Sequence, residues 1–192
     1  MIKSELRKIY LAKQRSISPE ERAVKSKQIA DRLFAEFDLS RIKFLHCFIV
    51  IEKFNEIDTT IIFQRLWKES PAIRTIVPRV EVETGEMQNL KFGPDTELVK
   101  NIWDINEPWH NEYFETANID MVLVPLLCVD IFGHRVGYGK GFYDRFLSQC
   151  RTDCLKVGLS YFEPFPEISD AGDLDERLDF CVTPENIYGG YI

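Results

Sequence analysis

The chain has 192 residues, of which 45% are hydrophobic and 29% charged, and its formal net charge is −7. This length and composition are ordinary for a globular protein, and we expect a single domain over residues 1–192. The acidic balance argues against general nucleic-acid binding, which needs a basic surface, but it does not exclude a local basic site for an anionic ligand.

The amino-terminal stretch MIKSELRKIY lacks the apolar core of a secretory signal, and no stretch is apolar enough to span a membrane. We therefore expect a cytoplasmic protein with no membrane partner. Five cysteines are present, an odd number without a CxxC pair. Because Cys47, Cys128 and Cys181 stand in apolar, strand-like runs, we expect buried, reduced thiols. Cys150 and Cys154 are too weak a pair to predict a zinc site.

The first predicted helix covers residues 3–15. Its apolar face is marked, at a spacing of three and four, by Ile2, Leu6 and Ile9. Lys3 and Arg7 are four apart and share another face. That face is either a solvated basic surface or a cationic arm that reaches a phosphate.

The second predicted helix begins at Ser18-Pro19-Glu20-Glu21 and runs to about Phe37. Serine is a favourable cap, proline suits the first turn, and Glu21 is placed to complete a capping box. We expect only a structural role for this helix.

Residues 43–51 (KFLHCFIVI) are too continuously apolar for a one-sided strand and predict a central strand covered on both faces. A helix over residues 59–69 follows, with Asp58 as its cap. Loops at the carboxyl ends of such strands bind ligands in open α/β sheets, so Glu56 lies where a ligand would bind. The alternative is a first-turn acid that complements the helix dipole.

The middle of the chain predicts a strand at residues 73–80 and a hairpin arm at 82–92 around Thr84-Gly85. A short helix is expected after Gly93-Pro94. Trp103, Trp109, Tyr113 and Phe114 then cluster in sequence. They indicate either a loop packed by its own aromatic rings or a wall on which a flat heterocycle stacks.

Further strands are predicted at residues 121–129, 154–161 and 180–183, and a helix at 141–150. Strands and helices alternate along the chain, and no internal repeat or linker interrupts them. This alternation is typical of an α/β protein, and we expect a three-layer α/β/α domain with a mixed, mostly parallel central sheet.

The stretch VGYGKGFYDRFL at residues 136–147 carries the strongest chemical signal. Its G-x-G-x-G spacing fits neither a P-loop nor the dinucleotide fingerprint. Strand, glycine loop and helix still predict an anion cradle, with Arg135, Lys140 and Arg145 as cations and Asp144 competent to bind Mg²⁺. If the helix began early enough, Lys140 and Asp144 would share a face. The alternative is a glycine-rich turn with surface ion pairs, each worth at most about 1 kcal/mol.

HRVGYGKGFYDRFL resembles the signature of the 5-formyltetrahydrofolate cyclo-ligase (5,10-methenyltetrahydrofolate synthetase) family, roughly R-L-G-x-G-x-G-Y-Y-D-R. Further pieces resemble that family in the same order along the chain: KSELR, NEIDT, IVPRV, DINEP and DERLDFCVTPE. The likeness spans nearly the whole chain. It implies ATP- and Mg²⁺-dependent conversion of 5-formyltetrahydrofolate to 5,10-methenyltetrahydrofolate, with release of ADP and phosphate.

Matched by position, the resemblance also implies roles for individual residues. Catalytic roles fall to Lys140 and Arg145, and Mg²⁺ ligation to Asp144 and Asp175. ATP contacts fall to Lys3, Arg7, Arg135, Val136, Gly137, Tyr138, Gly139, Lys140, Gly141, Phe142 and Tyr143. Folate contacts fall to Ile51, Glu56, Tyr138, Gly139, Lys140, Gly141 and Phe142.

Two positions depart from the family pattern. Leu174 stands where many relatives have His, and Phe142 replaces the first tyrosine of a tyrosine pair. Asp175 is preferred to Asp170 and Asp173 because it lies four residues before Asp179. The rival interpretations are a non-ATP enzyme acting on a sugar phosphate or acyl-CoA, and a nucleotide- or folate-binding module without turnover. We expect a monomer.

Overall fold

The structure is a computed structural model that describes residues 1–81, 84, 86–102, 105–110 and 112–190. The helices are α1 (Lys3–Arg15), α2 (Pro19–Glu36), α3 (Thr60–Glu69) and α4 (Phe142–Leu147). The first strands are β1 (Phe44–Cys47), β2 (Arg74–Val80), β3 (Met87–Phe92), β4 (Leu98–Lys100) and β5 (Asn106–Pro108). The later strands are β6 (Met121–Pro125), β7 (Cys128–Val129), β8 (Arg135–Val136), β9 (Leu155–Leu159), β10 (Phe180–Val182) and β11 (Ile187–Gly189). Short 3₁₀ turns lie at Leu39–Arg41, Glu52–Phe54 and Thr116–Asn118.

The main sheet formed by the described residues has the strand order β11-β10-β9-β6-β1-β2-β3. Its five inner strands, from β10 to β2, pair in parallel. The edge strands β3 and β11 pair antiparallel. The predicted mixed, mostly parallel sheet is confirmed.

Both faces of the sheet are covered, as the continuous apolar runs predict. In β6, Met121 and Leu123 pack in the cluster that contains α2 and α3, whereas Val122 and Val124 pack with residues of α4. All four are fully buried, and each stabilises the fold by about 1.5–3 kcal/mol relative to exposure. The three-layer arrangement is therefore confirmed.

Two predicted strands end four residues earlier than expected. β1 stops at Cys47 because the carbonyl of Phe48 accepts a hydrogen bond from the hydroxyl of Thr59 at 2.8 Å instead of one from a neighbouring strand. β6 stops at Pro125, which has no N–H to donate. The following residues form a separate hairpin of β7 and β8.

The helix expected after Gly93-Pro94 is wrong, because residues 98–100 form β4, which pairs with β5. The hairpin of β2 and β3 is confirmed. Within it Val82 and Gly85 lie outside the described residues, as do Trp103 and Asp104 further along.

The buried face of α1 and the capping box of α2 differ from the prediction. α1 has the predicted bounds, but its buried stripe is Leu6, Tyr10 and Gln14, while Ile2 and Ile9 are exposed. At α2 the Ser18 hydroxyl accepts from the N–H of Glu21, as expected for a cap. The Glu21 carboxylate pairs with Lys25 instead, so that only half of the capping box forms.

Cys47, Cys128 and Cys181 are buried and carry free thiols, as predicted. None of the helices that the structure describes is long and apolar enough to cross a membrane.

Candidate active site

The candidate site lies at the carboxyl ends of β1, β6 and β9. The chain leaves β1 for β2 on one side and later enters β6 on the other, and such a switch point is where open α/β sheets bind ligands. A cavity of about 10 Å³, room for about one water molecule, opens there. Its lining is Gln14, Phe48, Glu56, Ile57, Pro125, Leu126, Tyr138 and Leu159.

The glycine loop, residues 137–141, connects β8 to α4 and borders this cavity. Gly139 and Gly141 have φ of +89° and +67°, a backbone conformation that favours glycine. A Cβ at Gly139 would lie 3.1 Å from the guanidinium carbon of Arg7. The loop therefore needs glycine here both for its turn and for the close approach of a cation.

Helix α1 delivers that cation. The Arg7 Nε donates to the carbonyl of Gly137 at 2.9 Å. Leu6 and Tyr10 anchor the helix in a cluster with residues of β7 and β8. Arg7 is therefore docked on the glycine loop, whereas Lys3 of the same face pairs with Asp175.

A second cation lies in β8, directly before the loop. The Arg135 side chain is 5% exposed, and its Nη2 donates to the Asp144 carboxylate at 2.8 Å. Burial lowers the pKa of Arg135, and the charges of Asp144 and Asp175 partly offset this. Asp175 forms an ion pair with Lys3. Of the two predicted metal ligands, Asp144 thus pairs with Arg135 and Asp175 pairs with Lys3.

The fit of a metal ion rests on this donor set. In the described part of the chain no group of three or more His, Cys, Asp or Glu side chains converges to hold a metal. Two carboxylates suit Mg²⁺, which keeps several waters and takes the remaining ligands from substrate phosphates. Without substrates, each carboxylate is paired with a cation, Asp144 with Arg135 and Asp175 with Lys3. The two carboxylates therefore suit a Mg²⁺ ion that arrives together with phosphate.

The start of α4 differs from one expectation. The helix begins at Phe142 with Gly141 as its cap residue, so Lys140 and Asp144 do not share a helix face. Lys140 is exposed and forms no ion pair among the residues that the structure describes. Arg145 folds back, with its guanidinium 3.3 Å from the Lys140 carbonyl and 5.4 Å from the Phe142 ring centroid.

Glu56 is the buried acid of the site, with 4% exposure. Its Oε2 accepts from the N–H of Ile51 at 2.7 Å, and the Tyr138 hydroxyl also donates to the carboxylate. Burial raises the pKa of Glu56 to about 7 against the effect of these hydrogen bonds. Glu56 lies four residues before α3, so the alternative of a first-turn helix acid is wrong.

The Tyr138 ring closes the cavity next to Glu56. It stacks on Phe54 with ring centroids 4.7 Å apart and an interplanar angle of 22°. Its hydroxyl accepts from the Gln14 amide at 3.1 Å. A bicyclic ring enters this space only if Tyr138 moves.

Gln14 and Phe54 did not emerge from the sequence patterns as site residues. The sequence does contain a signal for Gln14. It is a polar residue one helical turn after Leu6 and Tyr10, on the stripe that α1 buries. Phe54 had none, since an aromatic residue in a polar loop has no fixed orientation.

The other predicted aromatic contacts are only partly at the loop. Tyr143 turns inward beside Phe146, with a ring-centroid distance of 6.0 Å, and its buried hydroxyl finds no hydrogen-bond partner among the described residues. Trp109 is exposed, and the Tyr113 hydroxyl accepts from Arg79 at 3.0 Å. Phe114 packs on Phe44.

Comparison with known sequences gives a consistent result. The profile of the 5-formyltetrahydrofolate cyclo-ligase family matches residues 1–184. The chain is 26% identical over 181 residues to the 5-formyltetrahydrofolate cyclo-ligase of Escherichia coli K12, covering 92% of this chain and 97% of that protein. It is 28% identical over 185 residues to the Mycoplasma genitalium cyclo-ligase, covering 94% and 96%.

Solved structures agree. The 5,10-methenyltetrahydrofolate synthetase of Aquifex aeolicus superposes with a TM-score of 0.79 and 32% identity, covering 98% of this chain and 93% of that one. The 5,10-methenyltetrahydrofolate synthetase of Mycoplasma pneumoniae superposes with a TM-score of 0.75 and 27% identity, covering 96% and 99%.

Proposed function

Because the chain belongs to the 5-formyltetrahydrofolate cyclo-ligase family, a family of ligases, we propose that it converts 5-formyltetrahydrofolate to 5,10-methenyltetrahydrofolate. The proposed reaction consumes ATP with Mg²⁺ and releases ADP and phosphate. One observation supports it above the others: Arg7 docks on a glycine loop whose Tyr138 touches a buried carboxylate, Glu56. The glycine loop would thus border both a phosphate site and a site for a ring with N–H donors.

The chemistry explains why ATP is needed. A formamide carbon is a poor electrophile, and its oxygen is a poor leaving group. Transfer of the γ-phosphoryl group to the formyl oxygen makes that oxygen a phosphate ester. N10 then attacks the formyl carbon and gives up its proton to solvent, the ring closes, and the carbon–oxygen bond breaks as phosphate leaves. No protein nucleophile is required, so the protein contributes positioning and charge stabilisation.

The cations around the loop suit the triphosphate. Lys3 and Arg7 come from α1, and Lys140 and Arg145 from the loop and α4. Lys140 is exposed and has no carboxylate partner in the described part of the chain, so its ammonium group is available to an incoming phosphoryl group. We assign it to the charge that develops during transfer, where preorganised donors act most strongly.

Asp144 and Asp175 would hold Mg²⁺ with the phosphates. The ion would neutralise charge on the triphosphate. Arg135 keeps Asp144 in place before ATP arrives, and its charge also acts on Asp175. Lys3, now paired with Asp175, is then released toward the phosphates.

Glu56 would bind the pterin. An ionised carboxylate accepts hydrogen bonds from the pterin amino group and ring N–H, and these replace the bond from Tyr138. Ile51 supports this role because its N–H, 2.7 Å from the carboxylate, already fixes one oxygen. The loop residues from Tyr138 to Phe142 would border both substrates.

The test is an omission experiment on the purified protein. With 5-formyltetrahydrofolate, ATP and Mg²⁺ together, the near-ultraviolet band of the methenyl product should grow with time. Leaving out ATP, or adding a chelator, should abolish it. Growth without ATP would instead favour an enzyme of another class. Binding of both ligands without any product would favour a module without turnover.

A further inference from the structure

Gln14 is a polar residue on the buried stripe of α1, with 3% exposure. Its side-chain nitrogen donates to the Phe54 carbonyl at 2.7 Å and to the Tyr138 hydroxyl at 3.1 Å. The amide nitrogen is only a donor, so the Tyr138 oxygen must be the acceptor in the second bond. The proton of that hydroxyl is then free to point at Glu56, which lines the same cavity as Tyr138 and whose ionised form the Tyr138 hydroxyl favours. The three side chains form a directed chain from amide to phenol to carboxylate.

We propose that Gln14 is a positioning residue for the folate site, which orients the Tyr138 hydroxyl so that its proton stays on the Glu56 carboxylate. The proposal rests on the proposed function, in which Glu56 accepts hydrogen bonds from the pterin. In the closed site the Tyr138 hydroxyl holds the place of the pterin N–H. It favours the ionised form of Glu56 until the substrate displaces it.

The surroundings of Glu56 show why a donor is needed. The ionisable groups that act on it are Arg22 of α2, Glu52 of the preceding 3₁₀ turn, Tyr138 of the glycine loop, Tyr143 of α4 and Tyr161 after β9. Arg22 is the cation of this set, and its guanidinium is paired with the Glu52 carboxylate at 2.7 Å. Its charge is thus shared with another acid. The hydrogen bonds from Ile51 and Tyr138 are left as the main support of the ionised form.

The turn that carries Glu56 is fixed to the same helix. The side-chain amide of Asn55 donates to the carbonyls of Gln14 and Ile17 at 2.8 and 2.9 Å. Asn55 has φ of 56°, the one positive φ at a non-glycine residue in the described part of the chain. The backbone carbonyl and the side-chain amide of Gln14 both hydrogen-bond to this turn. These bonds fix the position of Gln14 relative to Glu56.

Titration of Glu56 in the protein without substrates tests the proposal. The carboxyl-carbon NMR signal of Glu56, assigned by its loss in Glu56→Gln, is followed against pH in the wild type, Gln14→Leu, Tyr138→Phe and the double variant. Each single variant should raise the pKa of Glu56 by about one to two units, the worth of one hydrogen bond to a charged acceptor. The double variant should show no further rise, because both changes remove one donor.

Two results would overturn the proposal: a folded Gln14→Leu protein with an unchanged Glu56 pKa, or additive shifts in the double variant. If Gln14→Leu does not fold, Gln14→Met, which removes the donor and keeps an unbranched side chain, takes its place. Tyr138→Phe leaves the bond from Gln14 to Phe54 intact and tests the donor itself. An unchanged Glu56 pKa in Tyr138→Phe likewise contradicts the proposal.

A binding measurement separates this proposal from the proposed function. The pH below which 5-formyltetrahydrofolate affinity falls should rise in Gln14→Leu by the same amount as the Glu56 pKa. If 5-formyltetrahydrofolate does not bind even the wild type, the proposed function fails, while the titration still decides whether Gln14 orients Tyr138.

Discussion

Replacing Glu56 by glutamine should stabilise the protein at alkaline pH. The same substitution should weaken folate binding. The change keeps the shape of the side chain. In the wild type the N–H of Ile51 lies 2.7 Å from the carboxylate, and in the variant the amide oxygen still accepts this bond. The amide nitrogen donates to the second lone pair of the Tyr138 hydroxyl. What disappears is a negative charge in a site that is 4% exposed.

The size of the effect follows from the pKa. Burial raises the pKa of Glu56 from its ordinary value of 4.5 to about 7. Between these values the folded protein binds a proton that the unfolded chain has released, so stability falls as pH rises and levels off above about pH 7. The full loss is about 3 kcal/mol, and about 2 kcal/mol of it falls between about pH 5.5 and 8.5.

Urea denaturation of the wild type and Glu56→Gln at several pH values in this range measures that loss. The stability of the wild type relative to the variant should fall by about 2 kcal/mol as pH rises. Glu112→Gln, a change at a side chain that is 64% exposed, controls for the loss of one acid. A difference between wild type and Glu56→Gln that does not change with pH would refute the reasoning. In binding assays the variant should lose affinity for 5-formyltetrahydrofolate more than for ATP.

Three other variants test the phosphate side of the site. Lys140→Ala should lower kcat at least about 100-fold with an unchanged melting temperature, because the exposed ammonium group acts only on the transferring group; an unchanged kcat in steady-state assays contradicts this. Gly139→Ala should raise the KM for ATP and cost about 1–2 kcal/mol, since its methyl group meets Arg7 and its φ is +89°. The matched control Gly137→Ala meets no atom within 4 Å and should leave stability nearly unchanged in the same thermal melts. Asp144→Asn should shift the Mg²⁺ titration of activity to higher concentration; identical titrations would make Asp144 a structural partner only.

Much of the fold was predictable because the buried strands are continuous apolar runs. Residues 121–129 predict a covered strand from hydrophobicity alone, and the bounds of α1 follow from its periodicity. The strand ends were not predictable. β1 ends where the Thr59 hydroxyl donates a hydrogen bond to the Phe48 carbonyl, and these two residues are eleven apart in sequence. Such a side-chain bond leaves no periodic signal.

The candidate site was predictable in composition but not in arrangement. The glycine spacing and cations of residues 135–145 indicate a phosphate site, and the structure docks Arg7 on it. The sequence does not show that Arg135 is buried against Asp144, because burial of a cation depends on the surrounding fold. Nor does it show that Tyr138 turns inward to Glu56, since the rotamer of a loop residue is set by its tertiary neighbours.

The most direct test of the account is to measure ADP and the methenyl product together in one reaction with limiting 5-formyltetrahydrofolate. The account predicts equal amounts of the two products, and no ADP when tetrahydrofolate without the formyl group is supplied. Methenyl product formed without ADP, or ADP formed at the same rate without the formyl group, would contradict the claim that phosphoryl transfer to the formyl oxygen drives ring closure.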